Sequence, residues 1–389
     1  MTVLATACML ASACSGSALG GNDTSSNSQE VRIGLLTART GVYKSVGDDM
    51  VKGLRLYLKT HHNKLGGHPV TLSIGDEGVG DIARASAEKL VKKDKIQAMA
   101  GIVDGGSVVN VEPVIGSARI PTIMTSAGPS KITSASRPYL WSASYASVEP
   151  GAALGRYMKE HVDGPVYVIG PDYQGGHDEL GGFVDAFTKA GGKLANPGGK
   201  PDWTPFPNTT NFAPYLNKIK QTGAKAVFTF YAGGPAIGFV QQYKQFVGND
   251  IPLYAAGFLT EGSVLGAEQD AAKGVYTSMN YAADLDNPAN RAFASEYQKT
   301  YSVDPTTYAM SSWDAGILLD KAIGSIDGEV TSKAINSALG KVGQVDSPRG
   351  TWQFGPNRTP VQKWYLRQVK QDGAALSNVL VSELTTLGR

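Results

Sequence analysis

The chain has 389 residues with 36 Lys and Arg against 34 Asp and Glu, a net charge of +2 at pH 7. A balance this close, with no long run of one sign, argues against a nucleic-acid partner. The length exceeds what one ordinary core fills and predicts two domains, rich in turns because 47 residues are glycine.

From the start of the chain, residues 2–13 are uncharged and apolar or small, and a polar run, SGSALGGNDTSSNSQ (15–29), follows. The apolar stretch is shorter than the about 20 residues a membrane span takes and reads as a signal-peptide core. Both cysteines, Cys8 and Cys14, lie here, in a segment where a disulfide would close too short a loop to stabilise anything. The stretch LASAC ending at Cys14 resembles the lipobox of bacterial lipoproteins. That resemblance implies a signal peptide over 1–14, a lipid on Cys14 and a flexible tether over 15–30 holding the body at a membrane surface. Cys8 follows a similar LATA, with too few residues ahead of it for a leader.

The body alternates apolar, β-branched runs with amphipathic stretches. VRIGLLT (31–37) precedes a helix over 48–62, VTLSIGDE (70–77) one over 81–93, and IQAMAGIVD (96–104) one over 108–119; PTIMTSA (121–127) closes the first set. In a second set PVYVIGPD (165–172) precedes a helix over 177–190, a proline-rich loop (198–211) leads to one from 212, and AVFTFYAG (226–233) precedes one over 235–246. PLYAAGF (252–258) and GVYTSMNY (274–281) are further strands. Helices over 288–301, 308–325 and 329–342 follow, then a hairpin over 350–370 around GPNRTP. Alternating strands and helices predict parallel sheets covered on both faces, since parallel neighbours need crossover connections. Two doubly wound α/β units result.

Ligands of such sheets collect at the carboxyl ends of the strands. Those ends are TARTGVYKSVG (37–47), DGGS (104–107) and SAGPS (126–130), then GPDYQGGHD (170–178), FYAGGPA (230–236) and GFLTEG (257–262). Gly, Ser, Thr and Tyr dominate them, which suits a small anion with an apolar body. Catalytic motifs are thin. DEGVGDIA (76–83) follows the second strand rather than the first, GGPAIGF (233–239) lacks the Lys-Ser/Thr of a phosphate loop, and no Gly-x-Ser-x-Gly elbow occurs. His61, His62 and His68 read as solvated polar residues around a helix end rather than a metal set. Asp76 and Glu77 read as structural or hinge-facing acids, with no nucleophile beside them. No enzyme, metal or cofactor is expected.

Taken in order, TGVYKSVG, GGHPVTL, IVDGGS, IPTIMTSAGPSKIT, VIGPDYQGG, TFYAGGPAIGFVQQY and YAMSSWDAGILLDKAI resemble the solute-binding proteins of ABC importers, specifically the branched-chain amino-acid (Leu/Ile/Val-binding) family, over about residues 31–370. The resemblance implies a type I periplasmic-binding-protein fold, with two doubly wound lobes joined by three crossovers near 142–147, 279–283 and 345–350. The N-terminal lobe would comprise 31–144 plus 281–347 and the C-terminal lobe 145–280 plus 348–389. They would close over a ligand by hinge motion, outside the cytoplasm, as a monomer that hands its cargo to a membrane permease.

By the same resemblance, backbone N–H groups of Asp104, Gly105 and Gly106, and of Ser126, Ala127 and Gly128, would grip a ligand carboxylate. Tyr173 and Tyr231, with Gly233 beside the latter, would cap the ligand, and Tyr43 and Tyr145 add walls. Two departures bear on the ligand: Gly128 stands where amino-acid binders have Thr, and Leu259 stands close to their ammonium-clamping Glu. A buried ammonium left unpaired is costly, which would exclude amino acids unless Asp104, Asp172 or Glu261 substitutes. The runs GPDYQGGHDELGGF and FYAGGPAIGFVQQY resemble the branch of the family that binds aromatic carboxylates of the benzoate or cinnamate type, which implies such a ligand here. The alternatives are an amino-acid binder of the same family and a lipoprotein that presents its ligand to a sensor.

Overall fold

In a computed structural model, residues 29–78, 81–126, 128–130 and 137–388 are described. Cys8, Cys14, the leader, the tether up to Ser28, and Ala127 lie outside them.

Strands β1 (Val31–Thr37), β2 (Lys64–Leu65), β3 (His68–Asp76), β4 (Ala98–Gly101), β5 (Thr122–Met124) and β6 (Leu140–Ser142) form one sheet in the order β2-β3-β1-β4-β5-β6, with helices α1 (Lys44–Thr60), α2 (Asp81–Lys92) and α3 (Gly105–Ala118) as crossovers. Only the β2–β3 pair is antiparallel. Central β1 is mostly apolar, with only Arg32 charged, because both of its faces are covered.

Helix α4 (Glu149–His161) opens the second unit. There β7 (Val166–Asp172), β8 (Asp202–Pro205), β9 (Ala226–Thr229), β10 (Leu253–Ala256) and β11 (Tyr276–Met279) alternate with α5 (Gln174–Lys189), α6 (Ala213–Ile219), α7 (Gly234–Phe246) and α8 (Ser263–Glu268). Next α9 (Pro288–Tyr301), α10 (Thr307–Gly324) and α11 (Ser332–Leu339) follow, and α10 and α11 pack Leu318, Leu319, Ile335 and Leu339 into one core with Ile33 and Leu35 of β1. Gly53 of α1 lets α10 approach backbone to backbone, since a Cβ there would lie 2.0 Å from the Ala309 carbonyl oxygen. The chain then returns to the second sheet as β12 (Gln353–Phe354), β13 (Pro360–Asp372) and β14 (Ala375–Leu387). That sheet runs β12-β13-β11-β10-β9-β7-β8, with β14 on β13.

The expected parallel core of each unit is present, and the hairpin around GPNRTP is β12–β13. Several pieces escape the sequence reading, the short β2 and α8 among them. Strand β8 lies within the segment read as a loop; it is a short edge strand beside β7, carrying a proline that an edge tolerates. Strand β6 has three residues, too few for a period, and α4 follows it unread. Strand β14 becomes regular only by pairing along β13, with register shifts that blur its alternation.

Three passages connect the sheets, from β6 to α4, from β11 to α9 and from α11 to β12, and a buried polar network ties them together. Arg349 donates to the carbonyl oxygens of Ala143 (2.6 Å) and Ser144 (3.1 Å) and to Gln362 Oε1 (2.8 Å), and pairs with Asp314 at 2.8 Å. Gln362 Nε2 also donates to the Ser144 carbonyl (2.6 Å), and Asn280 Nδ2 donates to Gln362 Oε1 (2.9 Å).

Candidate functional site: an aromatic cleft between the two sheets

In each sheet the chain turns from one side to the other beside its first parallel strand: β3 and β4 flank β1, and β8 and β9 flank β7. Crevices at such switch points receive ligands. The segments leaving β1, β4, β7 and β9 carry Tyr43, Asp104, Tyr173 and Phe230, and all four line one cleft, which encloses about 420 Å³ with its mouth. Tyr145 and Ser147 from the β6–α4 passage and Tyr308 from α10 complete its floor.

The loops are held by the acids that end β3. Asp76 accepts from the backbone of Arg39 (2.8 Å) and from Thr40 Oγ1 (2.8 Å), fixing the turn that presents Tyr43. Glu77, buried, accepts from the N–H groups of Val103 (2.7 Å) and Asp104 (2.8 Å), and burial pushes its carboxyl up to about 8. Both acids therefore position loops.

Asp104 caps α3, its Oδ2 accepting from the Ser107 N–H at 3.2 Å. The N–H groups of Gly105 and Gly106 also face this carboxyl, and burial raises its pKa. The first turn of α3, assigned by the sequence reading to a ligand carboxylate, is thus occupied by the protein's own carboxylate. Gly105 lines the cleft, whereas Gly106 sits behind it, where a Cβ would lie 2.9 Å from Asp104 Oδ2. By contrast no side chain caps α5, whose first turn brings Gly175 to the cleft.

The two units touch across the cleft. Tyr43 donates its hydroxyl proton to the Tyr173 hydroxyl (2.9 Å), the Gly234 N–H donates to the Val42 carbonyl (3.2 Å), and the Ser130 N–H donates to Asp178 Oδ2 (3.0 Å). Phe206 stacks on Tyr173 with ring centroids 4.2 Å apart. Burial pushes the phenols of Tyr43, Tyr145 and Tyr173 far up, so they serve as neutral hydrogen-bonding groups.

Of the residues named from sequence, Tyr43, Asp104, Gly105, Ser126, Tyr145 and Tyr173 line the cleft. Ser126 Oγ lies 3.4 Å from the Tyr145 hydroxyl. Ala127 lies outside the described residues. Gly128 is a backbone contact: it donates to Ser147 Oγ at 3.1 Å, and a Cβ would meet the Tyr145 carbonyl at 2.0 Å, so a threonine does not fit there. Gly233 adopts φ of +60° against Val42 of the facing unit, beside the cleft.

Two residues lie in the apolar core instead. Tyr231 is buried against Phe212 and Phe239 and shares a hydrogen bond with Thr204 at 2.9 Å. Phe230, its neighbour just past the end of β9, occupies the cleft instead. Leu259 is fully buried in that same apolar cluster. Two of the three acids considered as substitutes for an ammonium clamp are engaged elsewhere: Glu261 pairs with Arg367 (2.8 Å) and accepts from the Thr307 N–H (2.7 Å), and Asp172 meets His177 at 2.8 Å.

The reading missed Phe230, Phe258, Tyr308 and Glu179. Glu179 had a signal, since it lies four residues after Gly175 and so on the same face of α5. Among the described residues that line the cleft there is no Lys, Arg or His.

A cleft built from two switch points, walled from both sides and bridged above, defines a protein that encloses a small molecule between two lobes. The family model described as periplasmic binding protein matches residues 30–374. A Leu/Ile/Val-binding protein homolog 6 of Brucella melitensis is 29% identical over 349 residues, 87% of each chain. An ABC-transporter solute-binding protein of R. palustris in complex with benzoate superposes with a TM-score of 0.85 at 29% identity, covering 93% of this chain and 98% of that one. Another from R. palustris, in complex with 4-hydroxybenzoate, gives 0.83 at 25% identity and covers 92% and 98%. The chain belongs to the periplasmic binding protein family, with the type I fold, and is a solute-binding protein of the ABC-transporter class. This family works outside the cytoplasm and binds without chemistry; among the described residues no helix is long and apolar enough to cross a membrane.

Proposed function

We propose that this protein captures a small aromatic carboxylate between its lobes and delivers it to an ABC permease. The observation that carries the reading is the cleft's wall: six aromatic side chains, Tyr43, Tyr145, Tyr173, Phe230, Phe258 and Tyr308, suit a flat ring better than a branched aliphatic chain. Leu259 stands near the expected ammonium clamp, Glu261 and Asp172 are engaged with Arg367 and His177, and the similar R. palustris proteins are complexes with benzoate and 4-hydroxybenzoate. Residues 31–144 with 281–347 and 145–280 with 348–389 would move as the two bodies, the three passages acting as hinge.

One observation favours a second reading, an amino acid: Asp104 faces the cleft and its Oδ1 has no hydrogen-bond partner, as an ammonium would require. Calorimetric titration decides. Benzoate and 4-hydroxybenzoate should bind and, at about 100 times their dissociation constants, add about 2.7 kcal/mol of stability; leucine and valine should not. Binding of leucine without either aromatic acid reverses the assignment.

We further infer that Cys14 carries a lipid that tethers the protein, supported by the LASAC stretch and the polar run after it. Cys14→Ser should move the protein from the membrane to the soluble fraction with ligand binding intact, and persistence on the membrane would refute the anchor.

A further inference from the structure

We propose that Glu179 meets the carboxylate of the bound aromatic acid as a neutral acid, its Oε2 hydroxyl donating to a carboxylate oxygen, so that a protein-borne proton rather than a fixed cation matches the anion. The proposal rests on the aromatic-acid reading above.

Glu179 is 2% exposed yet lines the cleft, and its Oε2 has no hydrogen-bond partner. A buried carboxylate is tolerated when a cation or several donors face it. Here the titratable groups around it are acids and phenols: Asp178 on the same helix, Tyr173 at its start, Glu149 from α4 and Tyr145 from the β6–α4 passage. Arg349, a cation close enough to act on Glu149, is bound to Asp314. Burial first, then Asp178, pushes the carboxyl of Glu179 well above the usual range.

In a neutral carboxyl one oxygen is a pure acceptor, and the Gly151 N–H lies against this group to supply its donor. The other oxygen is then a hydroxyl, left as a buried donor with nothing to donate to. An acceptor must come from the ligand. The backbone site expected for an anion on α3 is occupied by Asp104, which leaves Glu179 and the open first turn of α5, with Gly175, on one helical face toward the cleft. Proton and helix N-terminus together present donors to one carboxylate.

The test is benzoate affinity of the full chain by calorimetry between about pH 6 and 9.5, where benzoate itself stays ionised, for the wild type, Glu179→Gln and Glu179→Leu. Wild-type affinity should hold at low pH and then fall toward tenfold per pH unit as Glu179 ionises. Glu179→Gln, whose amide keeps a donor, should stay within about threefold of wild type at pH 6 and lose that extra fall, while Glu179→Leu should bind roughly tenfold or more weakly. An affinity that rises with pH, loss of binding in Glu179→Gln at pH 6, or wild-type affinity in Glu179→Leu would each overturn the proposal while leaving the aromatic-acid reading standing. Failure of benzoate and 4-hydroxybenzoate to bind the wild type at any pH overturns both.

Discussion

Arg349→Ala is expected to lower the unfolding free energy by about 3–5 kcal/mol, the usual loss when one partner of a buried ion pair is removed. Arg349 is 3% exposed, lies over the Trp352 ring at 4.8 Å, and is the common donor to Ala143, Ser144, Gln362 and Asp314. Its removal strands the Asp314 carboxylate in the core with Ser347 and Trp352 as remaining donors and leaves the carbonyl of Ala143 without this donor. For a chain of this size such a loss should lower Tm by roughly 4–7 °C. A differential scanning melt of the purified body checks it. Because much of the penalty is the orphaned carboxylate, the double variant Arg349→Met with Asp314→Leu should recover a large part of it. A drop below about 1 kcal/mol for the single variant would mean that water or a shifted side chain replaces the guanidinium, and the network would then not be what joins the three passages.

Glu268→Gln should stabilise the protein, and increasingly so as pH rises. Glu268 is 1% exposed at the end of α8, neither carboxyl oxygen has a hydrogen-bond partner, and burial pushes its pKa up to about 9. The folded protein therefore holds this proton more tightly than the unfolded chain. Its contribution to stability is full below the ordinary carboxyl value near 4.5 and is lost progressively as pH rises through the folded value. By pH 7 the loss is on the order of 3 kcal/mol. The variant removes the titration and keeps the shape, so urea midpoints of the two proteins should nearly coincide at about pH 5 and separate by about pH 7 in favour of Gln. An equal gap at both pH values would show that Glu268 is not held neutral by the fold.

The location of the cleft was legible in the sequence because a strand's end follows directly from where its apolar run stops. Tyr43, Asp104, Ser126 and Tyr173 each lie just beyond such an end, and each lines the cleft. Which of two adjacent aromatic residues enters was not legible. In FYAGG, Phe230 and Tyr231 have equal claim by composition, and the choice between them is set by the apolar cluster of Phe212 and Phe239 that accepts the tyrosine. Glu261 shows the same limit in its pairing: only the fold brings Arg367, more than a hundred residues later, to 2.8 Å from it.

The sequence by itself determined the alternation of strands and helices, the division into two doubly wound units and the strand ends that line the cleft, because periodicity and strand termini are local properties of the chain. Tertiary structure alone decided what the cleft offers a ligand. It turned Asp104 onto its own helix, placed Gly128 where no side chain fits, withdrew Tyr231 and Leu259 into the core, and left Glu179 buried with a free oxygen. Each of these depends on which distant groups share a low-dielectric space, and burial and pairing in that space are properties of the packed chain rather than of any stretch of it.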